Sequence, residues 1–334
     1  MVLDGRLLAA SRATVEAGVV WVPAGAVATR WGAQLDVGED VLGWRDARTG
    51  RTLVFRRGVA RAEADGRHPV ALSAAPDWAD GRLRFPVDAV AAAGEARWAV
   101  DERLGLLFLT RPDPYLCRFR IFLDPGHGGS ETGASLAGGL AEKRLNWWVA
   151  RRLAGLLAAS GAVVGLSRDA DQARSPSLRC AAARQMQAQL AVSIHHGPAE
   201  AYGAAEAGGT AGKAGTPGPA GPGPAGWVEG YHGRRGDGRR LAAALVAAVA
   251  RELGVPGRGV REAHLGILAC LPGPSALVQT CLPLVAGPGP HPRRRLARRA
   301  AWLGTREALG LLQGLRAYCS EAHRDSVAWP GAPV

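Results

Sequence analysis

Apolar and polar positions beyond residue 117 fall into short β-prone runs separated by longer stretches of helical period. Arg118–Leu123, Ala162–Leu166 and Ala191–Ile194 read as buried strands. Between the first two, Lys143–Ala159 sets Leu145, Val149, Leu153 and Leu156 on one face of a helix. Leu178–Gln189 is the next predicted helix. After an interruption come strand Val228–His232, helix Arg239–Leu253, strands His264–Leu268 and Ala276–Thr280, and a last helix from about Arg293 to Tyr318. Strands alternating with helices of this length predict an α/β unit, a mostly parallel sheet flanked by helices.

Residues 2–110 follow a different pattern, β-rich with one short helix per half. Asp4-Gly5-Arg6 recurs as Asp65-Gly66-Arg67. Val20-Trp21-Val22-Pro23 with Ala26-Val27-Ala28 recurs as Leu83-Arg84-Phe85-Pro86 with Ala89-Val90-Ala91. Gly32-Ala33 matches Gly94-Glu95 with a one-residue offset. This predicts a small β-rich duplicated domain whose halves pack together because neither buries its apolar face alone. Two prolines in Arg111-Pro112-Asp113-Pro114 stop both helix and ladder, so residues 111–117 read as a linker and 118–320 as the second domain. Within it, residues 197–226 are dominated by Gly, Ala and Pro, too poor in apolar side chains to fold, and read as a surface loop.

Length and composition add limits. A chain of 334 residues accommodates two domains with separate cores. The net charge of +12 comes from 41 basic residues, all arginine except Lys143 and Lys213. A basic surface favours anionic polymers in general. No helix-turn-helix, aromatic platform or zinc-finger spacing accompanies it, so nucleic acid is not the expected partner. No window approaches the ~20 apolar residues of a membrane span, and Met1–Ala10, with Asp4 and Arg6, shows no apolar leader. The five cysteines (Cys117, Cys180, Cys270, Cys281, Cys319) include no Cys-x-x-Cys pair. They read mostly as small buried apolar residues, not a disulfide framework or a thiolate metal site.

The chemistry concentrates where the first strand of the second domain meets Asp124-Pro125-Gly126-His127-Gly128-Gly129. Sites in open α/β sheets form beyond the strand carboxyl ends, which places His127 there. Glu142 opens the next helical pattern, and His195 ends another strand with His196 beside it. Two imidazoles and a carboxylate suit zinc with one position open to water.

These residues, with Glu142-Lys143, Ser167-Arg168-Asp169, Ser193-Ile194-His195, Arg258-Gly259-Val260 and Pro274–Thr280, resemble the zinc-dependent N-acetylmuramoyl-L-alanine amidases that hydrolyse bacterial cell walls. The resemblance spans roughly residues 118–317. It implies Zn2+ held by His127, Glu142 and His195, peptidoglycan as the substrate, and an extracytoplasmic place of action. It also implies that His195, not its neighbour, is the ligand, leaving His196, Arg168 and Glu229 as candidates for contacts to substrate or to the ligands. The family's general-base glutamate falls at Gln279, and a carboxamide cannot accept and return a proton. Cys281-Leu282 likewise replaces Gly-Phe, and Arg184 stands where Asn is usual. The expectation is therefore an amidase of reduced activity, the alternative a zinc-containing peptidoglycan-binding protein without turnover. Glu229, Glu262, His232 and His264 are the candidate substitutes for the base. Residues 2–110 resemble the copper-amine-oxidase N-terminal-like domain, but His68 is their only histidine, so docking or a structural role is expected there, not metal chemistry.

Overall fold

The computed structural model describes residues 1–8, 11–197, 226–234, 236–269, 271–284 and 290–324. Residues 198–225, nearly all of the expected surface loop, lie outside them, as does Cys270. The chain divides into two compact units, Met1–Asp113 and Pro114–Val334.

In the first unit, strands Val19–Pro23 and Arg82–Pro86 pair antiparallel, Phe85 opposite Val22. Each runs through its terminal proline, which fixes φ for helix entry, into an eight-residue helix, Ala24–Trp31 or Val87–Gly94. The helices end on left-handed residues, Gly32 (φ 66°) and Glu95 (φ 53°), so Gly32 corresponds to Glu95 and the one-residue offset read from the Gly32/Gly94 match disappears. Beyond the helices the two halves diverge. The first helix leads into a five-stranded meander from Gln34 to Ala71. The second leads into a hairpin whose strand Leu106–Thr110 pairs in parallel with Val2–Leu3. Trp31, Trp44, Phe55 and Phe85 fill the core between these sheets.

The second unit is built on six strands: β1 (Arg120–Pro125), β2 (Val163–Leu166), β3 (Leu190–His196), β4 (Trp227–His232), β5 (Gly257–Glu262) and β6 (Ser275–Cys281). Their order across the sheet is β2-β1-β3-β6-β4-β5. All neighbours are parallel except β4 and β6, which are antiparallel. The helices are α1 (Glu142–Ala159), α2 (Pro176–Gln185), α3 (Gly238–Leu253) and α4 (Pro292–Arg324). Helix α1 packs on β1, β2 and β3, α3 packs on β4, β5 and β6, and α4 lies against both helices. The other face receives α2, whose Ala183 meets Phe122 of β1 and Leu271. Strand β3 is buried at all seven positions because it lies inside the sheet and is covered on both faces, hence its mainly apolar residues before the two histidines.

The structure corrects the sequence at several points. No strand forms at residues 264–268; Gly266–Ala269 is a 3₁₀ turn and the strand lies earlier, at β5. Strand β5 is an edge strand with almost wholly exposed side chains, so it carries no apolar alternation to read. Helix α2 begins two residues earlier than expected, with Pro176 at its first turn and the Ser175 hydroxyl accepting from the Leu178 N–H. Cys180 is disulfide-bonded, not a small apolar filler, whereas Cys117, Cys281 and Cys319 are free. Among the described residues no helix is long and apolar enough to cross a membrane.

Candidate metal centre

At the carboxyl end of β1 the chain turns through His127, Gly128 and Gly129, all at positive φ (60°, 140° and 57°). His127 is the costly member, since a side chain disfavours that region. The turn is held by cationic and amide groups on its carbonyl oxygens. Arg168 donates to Pro125 O (3.1 Å), Gly126 O (3.3 Å) and Lys143 O (2.7 Å). Arg179 donates to Pro125 O (3.0 Å) and His127 O (2.9 Å), and Lys143 to Gly129 O (2.7 Å). Below them Asp124 accepts from Arg179 (2.7 Å) and the Ser193 hydroxyl (2.8 Å). Gly126 is required for a steric reason: a Cβ there would lie 1.9 Å from Cε1 of His195.

Glu142 starts α1, where the helix dipole favours a carboxylate. Its Oε2 accepts from the Ala134 N–H (2.9 Å) and its Oε1 from the His196 N–H (3.0 Å). Nε2 of His127 lies 3.3 Å from Oε2, and Nδ1 of His195 lies 3.1 Å from Oε1. The imidazole rings are 5.1 Å apart, centre to centre. One ligand atom from each of His127, Glu142 and His195 falls within 4.8 Å of the others. No other such group occurs among the described residues.

The protonation states suit a cation. Burial alone would raise the Glu142 pKa, but the hydrogen bond from His127, the positive potential of the two imidazoles and the Ala134 N–H bring it down to about 2. Burial lowers that of His195 to about 3, against a smaller opposing pull from Glu142. Both groups therefore stand deprotonated at neutral pH, as metal ligands must. With two imidazoles and a carboxylate converging at one half-open point, the donor set fits a borderline-soft divalent ion such as zinc.

These shifts set an expected pH dependence for the metal-free protein. Unfolded, the two groups take protons near 6.5 and 4.5; folded, only near 3 and 2. Between those values the unfolded chain binds more protons, so stability falls as pH falls, by ~1.4 kcal/mol per pH unit for each proton of difference. Urea midpoints of the second unit, measured with chelator at pH 7.5, 5.5 and 4.5, should decline in that order; a flat series contradicts the assignment.

Sheet register places two further polar side chains beside His195. Gln279 of β6 is aligned with His195 of β3, and Glu229 of β4 with Gln279, so the three form one row on the same face. Gln279 is wholly buried. Its amide N–H donates to Gly197 O (2.9 Å), while its Oε1 has no hydrogen-bond partner among the described residues. Glu229 is also buried, accepting from the Tyr231 hydroxyl (3.0 Å) and facing Arg261 Nε at 2.6 Å.

Two sequence candidates support the ligands and their turn and do not line the half-open side of the site. His196 does not face substrate: one residue beyond His195, it points to the opposite side of the sheet, 1% exposed, between Asn146 and Glu307. Arg168 is 2% exposed and spent on backbone carbonyls, so it shapes the turn and meets no ligand from solvent. Of the other candidate bases, Glu262 pairs with Arg234 at the surface (2.7 Å), and His232 and His264 join no ligand cluster. Sequence reasoning passed over Asn146, Arg179 and Glu307. Asn146 stands one turn after Glu142 and so shares its face. Glu307 was detectable as a carboxylate within the apolar stripe of α4.

A family model described as N-acetylmuramoyl-L-alanine amidase matches residues 121–282, from β1 to just beyond β6. The uncharacterized protein YqiI of Bacillus subtilis is 30% identical over 161 residues, 48% of this chain and 68% of that protein. Residues 121–282 thus form a domain of the N-acetylmuramoyl-L-alanine amidase family. The amidase LytC of Bacillus subtilis is 34% identical over 163 residues, 48% of this chain; the chain thus spans 28% of that longer relative. Among solved structures, the amidase AmiC2 of Nostoc punctiforme is 25% identical, with a TM-score of 0.45 over 60% of this chain and 97% of its own. His127, Glu142, His195, Glu229 and Gln279 all fall inside the matched family residues, whereas α4 lies outside them.

Proposed function

We propose that residues 118–320 form a zinc-dependent N-acetylmuramoyl-L-alanine amidase acting on peptidoglycan at the cell wall, outside the cytoplasm. The convergence of His127, Glu142 and His195 carries this reading. Zinc at that point would polarise the scissile carbonyl and bring the pKa of a bound water to ~7. The chain's own part is to keep its ligands deprotonated and fixed. The Ala134 and His196 N–H groups orient the Glu142 carboxylate, and the carbonyl-bound turn presents His127.

Gln279 sets the expected rate. Its free Oε1 can accept a hydrogen bond from water or a substrate N–H, but it cannot take up the proton that general-base catalysis must move. Turnover is therefore slow. The same residue favours the second reading, a zinc-containing protein that binds peptidoglycan without cutting it. For residues 2–110 we propose a duplicated, copper-amine-oxidase-N-terminal-like module with a docking or structural role, supported by its two matching strand–proline–helix segments.

The test is zinc content together with release of new L-alanine amino termini from purified peptidoglycan. The expected result is one zinc per chain, lost in His195→Ala and Glu142→Ala, with slow release that disappears in the same variants. Zinc and binding without release supports the second reading. Absence of zinc overturns both.

A further inference from the structure

The reading of His127, Glu142 and His195 as a metal centre leaves unexplained a wholly buried carboxyl group on the last helix. Glu307 of α4 is 0% exposed. Burying such a group is unfavourable where an apolar residue would not be, so its partners matter. We propose that Glu307 is a positioning residue for the metal-binding carboxylate of Glu142, acting through His196 and Asn146.

The hydrogen-bond chain is continuous. The Thr280 hydroxyl donates to Glu307 Oε1 (2.9 Å), and Glu307 Oε2 lies 2.7 Å from Nε2 of His196. Nδ1 of His196 lies 2.6 Å from Oδ1 of Asn146. The Asn146 amide donates to Gly126 O (3.0 Å) and to Glu142 Oε1 (3.4 Å), the same oxygen that accepts from the His196 N–H (3.0 Å).

Counting hydrogens fixes how the chain works. With the Asn146 amide group turned to Gly126 and Glu142, its Oδ1 can only accept, so His196 must carry a hydrogen on Nδ1. The opposite ring nitrogen then meets Glu307. Either His196 is neutral and Glu307 holds the proton, or His196 is an imidazolium and Glu307 a carboxylate. Both states place one shared proton between the two residues and give the pair no net charge. Without Glu307, Nε2 has no partner, and the Asn146 contact alone is left to hold the His196 ring. The Asn146 amide is then held less firmly toward Gly126 and Glu142. Glu307 lies beyond the residues matched by the family model, and its chain partner His196 is 111 residues earlier, so this link comes from the fold and not from the motif.

The inference rests on the metal-centre reading, and the experiment separates the two. Zinc dissociation constants of the full chain are measured by chelator competition, and the coordination environment by cobalt(II) absorption. Glu307→Met keeps the volume and removes the hydrogen bonds; it should weaken zinc binding about 10–100-fold and alter the cobalt spectrum. Glu307→Gln can donate to Nε2 of His196 and accept from Thr280, and should restore affinity to within a few-fold of the wild type. Leu309→Ala, buried on the same helix but outside the chain of bonds, should lower the unfolding midpoint and leave zinc affinity unchanged. Wild-type affinity in Glu307→Met overturns the proposal. So does an equal loss in Leu309→Ala, which would reduce Glu307 to a packing role. A wild-type chain that binds no zinc overturns the metal-centre reading itself, and this inference with it.

Discussion

Gln279→Glu is expected to raise the rate of amide hydrolysis by about 10²–10⁴, the usual contribution of general acid–base assistance. The replacement is nearly isosteric, and residue 279 stands in register beside His195 on the sheet face that carries the row. A glutamate there also loses the hydrogen bond from the present amide to Gly197 O, so a carboxylate would face a carbonyl oxygen. That raises its pKa, which moves it toward the operating pH where a base is most effective. The cost is stability, ~1–3 kcal/mol for the lost and unmatched polar contact. Zinc affinity and binding to peptidoglycan should change little, because no ligand is touched; the gain belongs in kcat. Initial rates of amino-terminus release from purified peptidoglycan, with zinc content measured on the same samples, check it.

A different result is informative. If the wild type already matches the rate of Gln279→Glu, a neighbouring group supplies the base, and the row identifies Glu229, aligned with Gln279 on β4. Glu229→Gln should then abolish turnover while zinc remains bound. No activity in either protein, with peptidoglycan still bound, favours the non-catalytic reading.

How far the sequence reached depends on which features are local. The stripe Leu145, Val149, Leu153 and Leu156 is buried, and the β1 and β3 runs are strands, because apolar period is written directly into neighbouring residues. The edge strand β5 was missed because only one neighbour and solvent surround it. At the site, His127 and His195 could be read because each ends an apolar strand. The two sides of the sheet could not: His195 and His196 are adjacent in sequence, yet one joins the ligand cluster while the other is sealed under α4. Arg179, 55 residues from Asp124, and Glu307, 111 from His196, are brought in by packing, and no local pattern records such distances.

Asp124→Ala is expected to cost ~3–5 kcal/mol, the penalty for leaving one member of a buried ion pair without its partner. Asp124 is 3% exposed and Arg179 6%, so water cannot take over the lost contact. The loss is a large share of the ~5–15 kcal/mol that holds a typical domain folded. Burial by itself pushes the Asp124 pKa up, yet the Arg179 charge and the hydrogen bonds from Ser167, Arg179 and Ser193 hold it below the usual carboxylate range. Its contribution is thus present at neutral pH and lost as pH falls below the unfolded carboxylate value of ~3.9. The effect extends to the metal centre, because the same guanidinium donates to Pro125 O and His127 O and so holds the turn that presents His127. Arg179→Met should also destabilise, by stranding Asp124. The double variant should lose less than the two single losses together, with a coupling of ~0.5–3 kcal/mol. Urea midpoints for the four proteins at pH 7.5, with zinc binding measured beside them, decide the matter. Strictly additive losses would mean that Asp124 and Arg179 act separately, and an Asp124→Ala variant as stable as wild type would remove the ion pair from the account of the turn.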